Sequence, residues 1–519
     1  MQFTRRHFLS TTAALGALLS ASPSILRAQD APSPVFGGTI TASMDLEPAS
    51  LHPLFGNAAT SDRFIFNQLF DALLRIEEDG TLSPALATEW AYGEGNTSII
   101  LKLREGVSFH DGEEFNADAA KANLDYVISG EPVAPHVADF ADVESIDILG
   151  DYEIRINLKK PSGAILAALG TEPAMMLSPK AMAEKGDAIQ RDPVGTGPFR
   201  FVKWLPGEYI EATRFENYWR TDAEGQNLPY LDGIRMRFIS NNATKVIELQ
   251  GGNLDLGDAI TPRDAEQLKD DPRIKLLSPP GGIQSWISFN SQAAPFDNVH
   301  LRRAVNAGID RAGLLQAVAL GVGAIPPVMF APTEWAYSAE PAPSSYNPEL
   351  AREEVAKSGL GPRVSATLNV IQRDPDVQLA QLIQAMLAQV GIDLEVNVLE
   401  RQAWVQAVLD GNYQIGMGRW SIPFVDPDQV CSSVLGRGAL NWSNIKDAPL
   451  KQLAVDAAQA VDKSERKEIY ATIQAKLVDE AYYNFLLMRG VNYVSNPNLH
   501  GLTFEPNGLW HFSSAFLAE

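Results

Sequence analysis

The chemistry within reach of this chain is that of holding a ligand. Gln372-Arg373 is followed by Asp374-Pro375 and then by apolar residues at helical spacing: Leu379, Leu382, Ile383, Met386, Leu387 and Val390. Asp374 and Pro375 suit an N-cap and a first turn, and Gly391 stops the helix. An arginine just ahead of a helix start sits beside free backbone N–H groups and the positive end of the helix dipole, which suits a carboxylate. On spacing alone Arg373 is equally a surface arginine paired with Asp374 or Asp376. Trp420 opens the run Trp420-Ser421-Ile422-Pro423-Phe424-Val425-Asp426-Pro427-Asp428. A tryptophan there is either core packing, the commoner fate, or a flat wall for a sugar ring, an aromatic group or a peptide plane. Asp426-Pro427 reads most simply as a turn. The polar run Asn57 to Asp62 opens another helix, where it either caps the helix or holds an anion or a ligand hydroxyl. Trp420, Arg373, Thr60, Asn57, Asp426 and Trp404 form the candidate ligand-binding set.

Catalytic constellations are missing from the pattern. The seven histidines, His7, His52, His110, His136, His300, His500 and His511, form no His-Glu-x-x-His pair, and no Gly-x-Ser-x-Gly occurs. A single cysteine, Cys431, permits neither an intrachain disulfide nor a cysteine-based zinc site. Carboxylate pairs are frequent, but a chain with net charge −22 supplies them everywhere. That charge also argues against nucleic acid and anionic membranes as partners. With 45% hydrophobic and 20% charged residues over 519 positions, the chain is globular and long enough for several domains. A receptor, expected to carry no cofactor or metal and to be a monomer, returns its ligand unchanged. The rivals are a periplasmic hydrolase, which would turn it over, and a peptide chaperone, which would bind weakly and unselectively.

The elements that must position these residues follow from periodicity. Val364–Ile371 reads as a strand, the Leu379 stripe as a helix, and Ile392, Leu394, Val396 and Val398 alternate as the next strand. That is a βαβ unit with parallel strands and a right-handed crossover. A helix from about Gln402 ends at Gly411, and Tyr413, Ile415 and Met417 alternate in a third strand ending at Arg419-Trp420. Arg373 and Trp420 then both lie at the carboxyl edge of the sheet, where open α/β sheets bind ligands. Earlier in the chain, Thr39–Ser43 is a strand, Asn116 caps a helix, and Ile146 to Leu158 forms a hairpin about Gly150-Asp151. The stretch Arg191–Trp204 (RDPVGTGPFRFVKW) is a glycine turn leading into a short buried strand, Phe199, Phe201 and Val202. Its glycine spacing is not that of a phosphate loop. Gly281-Gly282 is a hinge candidate.

Several motifs in order resemble one family. They are Pro84-Ala85-Leu86-Ala87 with Trp90, Leu103-Arg104-Glu105-Gly106-Val107 with Phe109-His110-Asp111-Gly112, and Pro193 to Phe199. Glu216-Asn217-Tyr218-Trp219, Leu231-Asp232, Leu249-Gln250-Gly251 and Arg302-Arg303-Ala304 continue the series. Over about residues 38–515 the chain resembles the extracytoplasmic solute-binding proteins of family 5, the peptide-, opine- and nickel-type receptors of ABC importers. The resemblance implies an α/β, two-lobed periplasmic binding protein of type II, cluster C-like, with an extra subdomain inserted in the first lobe. The expected division is 35–76 with 190–282 and 490–519 as lobe I, 77–189 as the insert, and 283–489 as lobe II. It implies a small-molecule solute, peptide-like, opine-like or a modified amino-acid conjugate, with a sugar-like solute or metal chelate as the alternative, and permease and ATPase partners. In peptide-type members an arginine placed like Arg373 meets the ligand carboxylate. An aspartate three residues after the loop tryptophan meets the ammonium, and that position here is Pro423.

The first 28 residues read as an export signal. Arg5-Arg6 precede a short apolar run from Ala13 to Leu19, and Leu26-Arg27-Ala28 offers a cleavage point. This is a twin-arginine signal without a lipid-accepting cysteine, so a soluble periplasmic protein is expected. Cleavage removes Arg5, Arg6 and Arg27 and no acid, moving the net charge from −22 to −25.

Overall fold

The structure is a computed structural model. It describes residues 32–518 apart from 56–59, 131–134, 279–280, 341, 343–344, 423–424 and 436–440.

Alternating apolar strands build two large sheets. A seven-stranded sheet runs Lys275–Leu277, Asn492–Ser495, Leu256–Ile260, Thr39–Met44, Gly233–Phe238, Tyr209–Arg214, Phe199–Leu205. A five-stranded sheet runs Ile392–Leu399, Val364–Ile371, Ile415–Ile422, Gly282–Phe289, Tyr483–Arg489. A four-stranded antiparallel sheet, Ala87–Tyr92, Ser98–Leu103, Glu153–Leu158, Val143–Gly150, contains the expected hairpin. Asn116 caps its helix as expected, its side chain accepting from Ala119 N at 3.0 Å. The four-stranded sheet shares one apolar core with the seven-stranded sheet, in which Ile40, Met236, Ile156 and Trp510 are all buried. The five-stranded sheet has separate cores on its two faces, one around Leu368, Ile383 and Leu487, the other around Trp286, Trp404 and Tyr470. Cover on both faces is what parallel strands require.

The βαβ unit forms as expected. Val364 to Ile371 pairs in parallel with Ile392 to Leu399, joined by the helix Asp376–Ala388. Gly391 ends the crossover at φ +92°, a conformation glycine takes without steric cost. The helix start differs from expectation: Pro375 is the cap residue and makes no side-chain cap bond. Asp374 therefore precedes the helix and does not cap it.

The strand after the glycine turn differs too. Phe199 is fully buried, but the strand runs to Leu205 at the edge of its sheet, and Val202 is 50% exposed. An edge strand covered on one face tolerates an outward valine. The turn is a clamp. His110 Nδ1 accepts from Gly195 N–H at 3.3 Å, and its Nε2 lies 2.9 Å from the Gly197 carbonyl. A side-chain carbon at Gly195 or Gly197 would lie 2.2 or 2.5 Å from the backbone of Leu69. Thr196 Oγ1, Tyr218 Oη and Trp219 Nε1 all donate to Asp71, at 3.1, 3.0 and 3.0 Å. The motifs that carry the family resemblance thus converge to lock the end of the helix Thr60–Leu69 onto the first strand after the turn.

Candidate functional site

The carboxyl edge of the five-stranded sheet gathers three arginines around one carboxylate. Strand Ile415–Ile422 is antiparallel to Gly282–Phe289, which is antiparallel to Tyr483–Arg489, so the carboxyl ends of the two outer strands of this trio coincide. Ser285 faces Arg419 and Leu487 on one rung; Ile283 faces Ser421 and Arg489 two residues on. Opposed residues and those two apart share a face, so Arg419 and Arg489 project on one side of the sheet. Arg373, just past the end of Val364–Ile371, joins them at the first turn of the helix Asp376–Ala388. Asp376 is buried and accepts from Arg373 Nε, and Arg419 Nη1 lies 3.5 Å from it. Arg419 Nη1 also donates to the Asp374 carbonyl at 3.1 Å.

One carboxylate does not balance three guanidinium groups. Burial, and then Arg373, pull the Arg419 pKa down against the support of Asp376. Arg489 is lowered further, to about 10, first by burial and next by Arg419, with Asp376 opposing. Its Nε is buried with no hydrogen-bond partner among the described residues. A bound anion relieves like-charge repulsion and supplies the missing acceptor.

The seven-stranded sheet supplies a facing wall. Thr39–Met44 runs parallel to Gly233–Phe238 and to Leu256–Ile260, so their carboxyl ends share an edge. There Lys245, fully buried, is paired with Asp45 and, at 2.8 Å, with Asp258. Burial above all, opposed by Lys245, raises the Asp258 pKa to about 6. The Asp45 carboxylate is near enough to Arg419 to support its charge, so the two edges look at each other.

The remaining candidates are placed as follows. Trp420 is on the rung of Gln284 and Met488, hence on the opposite face from Arg419. Its Nε1 donates to Gln284 Oε1 at 2.8 Å, and its ring lies 5.0 Å from Trp286, half-buried against the aromatic core. Trp404 is 3% exposed, 5.1 Å from Trp442, with Nε1 donating to the Asn369 carbonyl at 3.3 Å. Asp426 is buried and held by both ends of Arg466, at 2.8 and 2.6 Å, which commits its carboxylate to that partner. Thr60 opens the helix Thr60–Leu69. Asn57 and Pro423 lie outside the described residues. The structure therefore gathers Arg373 with two residues that the periodicity did not select, Arg419 and Arg489. Their signal was available: each is a cation near the carboxyl end of a strand, although the strand of Arg419 runs on to Ile422 and does not end at Arg419-Trp420 as expected. Among the described residues there is no cluster of metal-ligating side chains, and no helix is long and apolar enough to cross a membrane.

Residues 81–442 match the model of the bacterial extracellular solute-binding proteins, family 5. The chain belongs to that family. It is the solute-capturing component of an ABC importer, acting outside the cytoplasm with permease and ATPase subunits. The glutathione-binding protein GsiB of Pectobacterium atrosepticum is 28% identical over 518 residues, covering 98% of each chain. The fold is that of the two-lobed binding proteins. Helicobacter pylori DppA, a periplasmic binding protein solved with the peptide STSA, superposes with a TM-score of 0.81 at 25% identity, over 93% of this family 5 chain and 99% of DppA. AgaA of A. tumefaciens R10, solved with agropinic acid, superposes with a TM-score of 0.79 at 23% identity, over 93% and 99%.

Proposed function

We propose that this protein captures a small carboxylate-bearing solute, of the peptide-like or conjugated amino-acid kind, between its two lobes. The observation that carries the reading is the meeting of Arg373, Arg419 and Arg489 around the single Asp376. Glutathione is the first solute to test. It carries two carboxylates, and the relatives that align along nearly the whole chain are named for binding it. The protein binds without turnover, as a periplasmic monomer exported by the twin-arginine signal. Its lobes follow the division read from the sequence. The alternative class, a sugar-like solute, would need Trp420 as its wall, and Trp420 stands on the other face of the sheet from the arginines.

The test is calorimetry of the mature protein with glutathione, opines, unblocked and acetylated dipeptides, and oligosaccharides. Micromolar or tighter binding of a carboxylate-bearing member, weakened at least tenfold in Arg419→Ala, is the expected result. Tight binding of an uncharged oligosaccharide, indifferent to Arg419→Ala, would overturn it.

A further inference from the structure

We infer that Arg466 and Gly163 form a clasp between the two lobes, and that Arg466 is thereby a positioning residue for Asp426. This rests on the solute lying between the lobes, as proposed above. Gly163 follows the strand Glu153–Leu158 and precedes the helix Ile165–Ala168, both of which pack into the core beneath the seven-stranded sheet. Arg466 belongs to the helix Lys463–Asp479, which packs with Ala448–Gln459 into the aromatic core beneath the five-stranded sheet. The two meet directly. Gly163 N–H donates to the Ala458 carbonyl at 2.9 Å, and Arg466 Nη1 donates to the Gly163 carbonyl at 3.2 Å.

The rest of the guanidinium faces inward. Nε donates to the Ala457 carbonyl at 2.9 Å, Nη1 and Nη2 to Asp426, and Nη2 to Tyr470 Oη at 3.1 Å. With Gly163 in place all five donors of the fork are used. One arginine, 4% exposed, thus ties the opposite lobe to Asp426, six residues after Trp420 in the chain. When the lobes part, the Gly163 carbonyl and the Ala458 carbonyl both lose their partners.

The approach admits only glycine. A side-chain carbon at position 163 would lie 2.0 Å from the Ala460 carbonyl oxygen and 3.1 Å from Arg466 Cδ. Gly163 does not adopt a positive φ, so its backbone accepts alanine or valine when the lobes are apart. A substitution there acts on the joined state and spares the insert's own fold.

The experiment compares the mature wild type with Gly163→Ala, Gly163→Val and Arg466→Lys, first without any ligand. Small-angle scattering and amide exchange are the readouts. Expected are a larger radius of gyration in all three variants, greater for valine than alanine, and exchange at position 163 faster by at least tenfold. Glutathione is then added as the probe. Dissociation from Gly163→Val should be at least tenfold faster than from wild type. Wild-type scattering and exchange in both Gly163 variants would overturn the clasp. If glutathione does not bind even the wild type while the ligand-free differences hold, the clasp stands and the glutathione reading falls.

Discussion

Arg489 ends a strand with its Nε buried and without a hydrogen-bond partner among the described residues, beside Arg419, and both features cost stability. Arg489→Met keeps the length of the side chain and removes the charge. It should weaken carboxylate binding by about 1.5–3 kcal/mol, the scale of a charge-assisted contact. The unliganded protein should melt no lower than wild type, because repulsion and an unsatisfied donor are removed together. Calorimetry and thermal melts give both numbers, and unchanged affinity would leave Arg489 with a packing role only. Arg373→Ala should show a loss of similar size, selective for anionic ligands. At position 423, three residues after Trp420, proline offers neither charge nor N–H. An ammonium placed as the family resemblance implies would lack that carboxylate, which is costly if it is buried. Dipeptides with a free amino terminus should therefore bind more weakly than micromolar, and more weakly than glutathione, whose amine shares a carbon with its own carboxylate and so brings a counter-charge with it. A strong thermal shift with such dipeptides, lost on acetylation, would show that another acid receives the amine.

The glycine turn and the motifs around it form one element whose integrity depends on a neutral imidazole. His110 Nδ1 accepts from Gly195, so protonating it removes an acceptor from a buried N–H. Burial holds its pKa down at about 4, and His52, whose Nδ1 accepts from Leu54 N–H, is lowered likewise. The sign follows from linkage: the unfolded chain takes up protons near pH 6.5 and the folded one does not, so stability is full above that pH and is lost as pH falls towards 4. Asp71 and Asp258, raised to about 6 by burial, act in the opposite sense between about 4 and 6. A difference measurement cancels them. The slope of unfolding free energy against pH should be less positive in His110→Gln than in wild type by up to about 1.4 kcal/mol per pH unit. Urea melts from pH 7 to 4.5 check this, and equal slopes would mean that His110 titrates normally. The same elements show what periodicity can carry. The βαβ unit was legible because each of its strands alternates and its helix has one apolar stripe, all local signals. The exposed Val202 and the convergence on Asp71 were not: the first follows from the strand lying at the edge of its sheet, and the second from partners more than a hundred residues away, Thr196 and Trp219. The arginine site was half legible for the same reason. Arg373 is marked by the helix that follows it, whereas Arg419 and Arg489 meet only through the register of Gly282–Phe289 between their strands.

Across the whole molecule the chain joins the two large sheets twice, and the ends of the two passages pair with each other. Leu277 pairs with Tyr493 in the seven-stranded sheet, and Ile283 pairs with Arg489 in the five-stranded one. The chain therefore passes between the sheets twice, at 277–283 and at 489–493, with Gly281 at φ +81° in the first passage and Gly490 in the second. A side-chain carbon on Gly490 would meet nothing, so the position is open to substitution. Two adjacent passages permit rotation about one axis and resist twisting, which is the mechanics of a hinge. Arg489 stands next to Gly490, so an anion bound at the arginines as proposed would lie beside the second passage. Gly281→Ala places a side chain in a left-handed conformation that costs roughly 1–2 kcal/mol. If the closed state needs that conformation and the open state does not, the variant should bind its solute about 5- to 30-fold more weakly with the same contacts, since closure must supply the difference. Gly490→Ala, with free space and no positive φ, should bind like wild type. Scattering with and without saturating solute should show contraction in wild type and Gly490→Ala, and incomplete contraction in Gly281→Ala. Equal affinity and equal contraction in all three would place the pivot elsewhere in the chain.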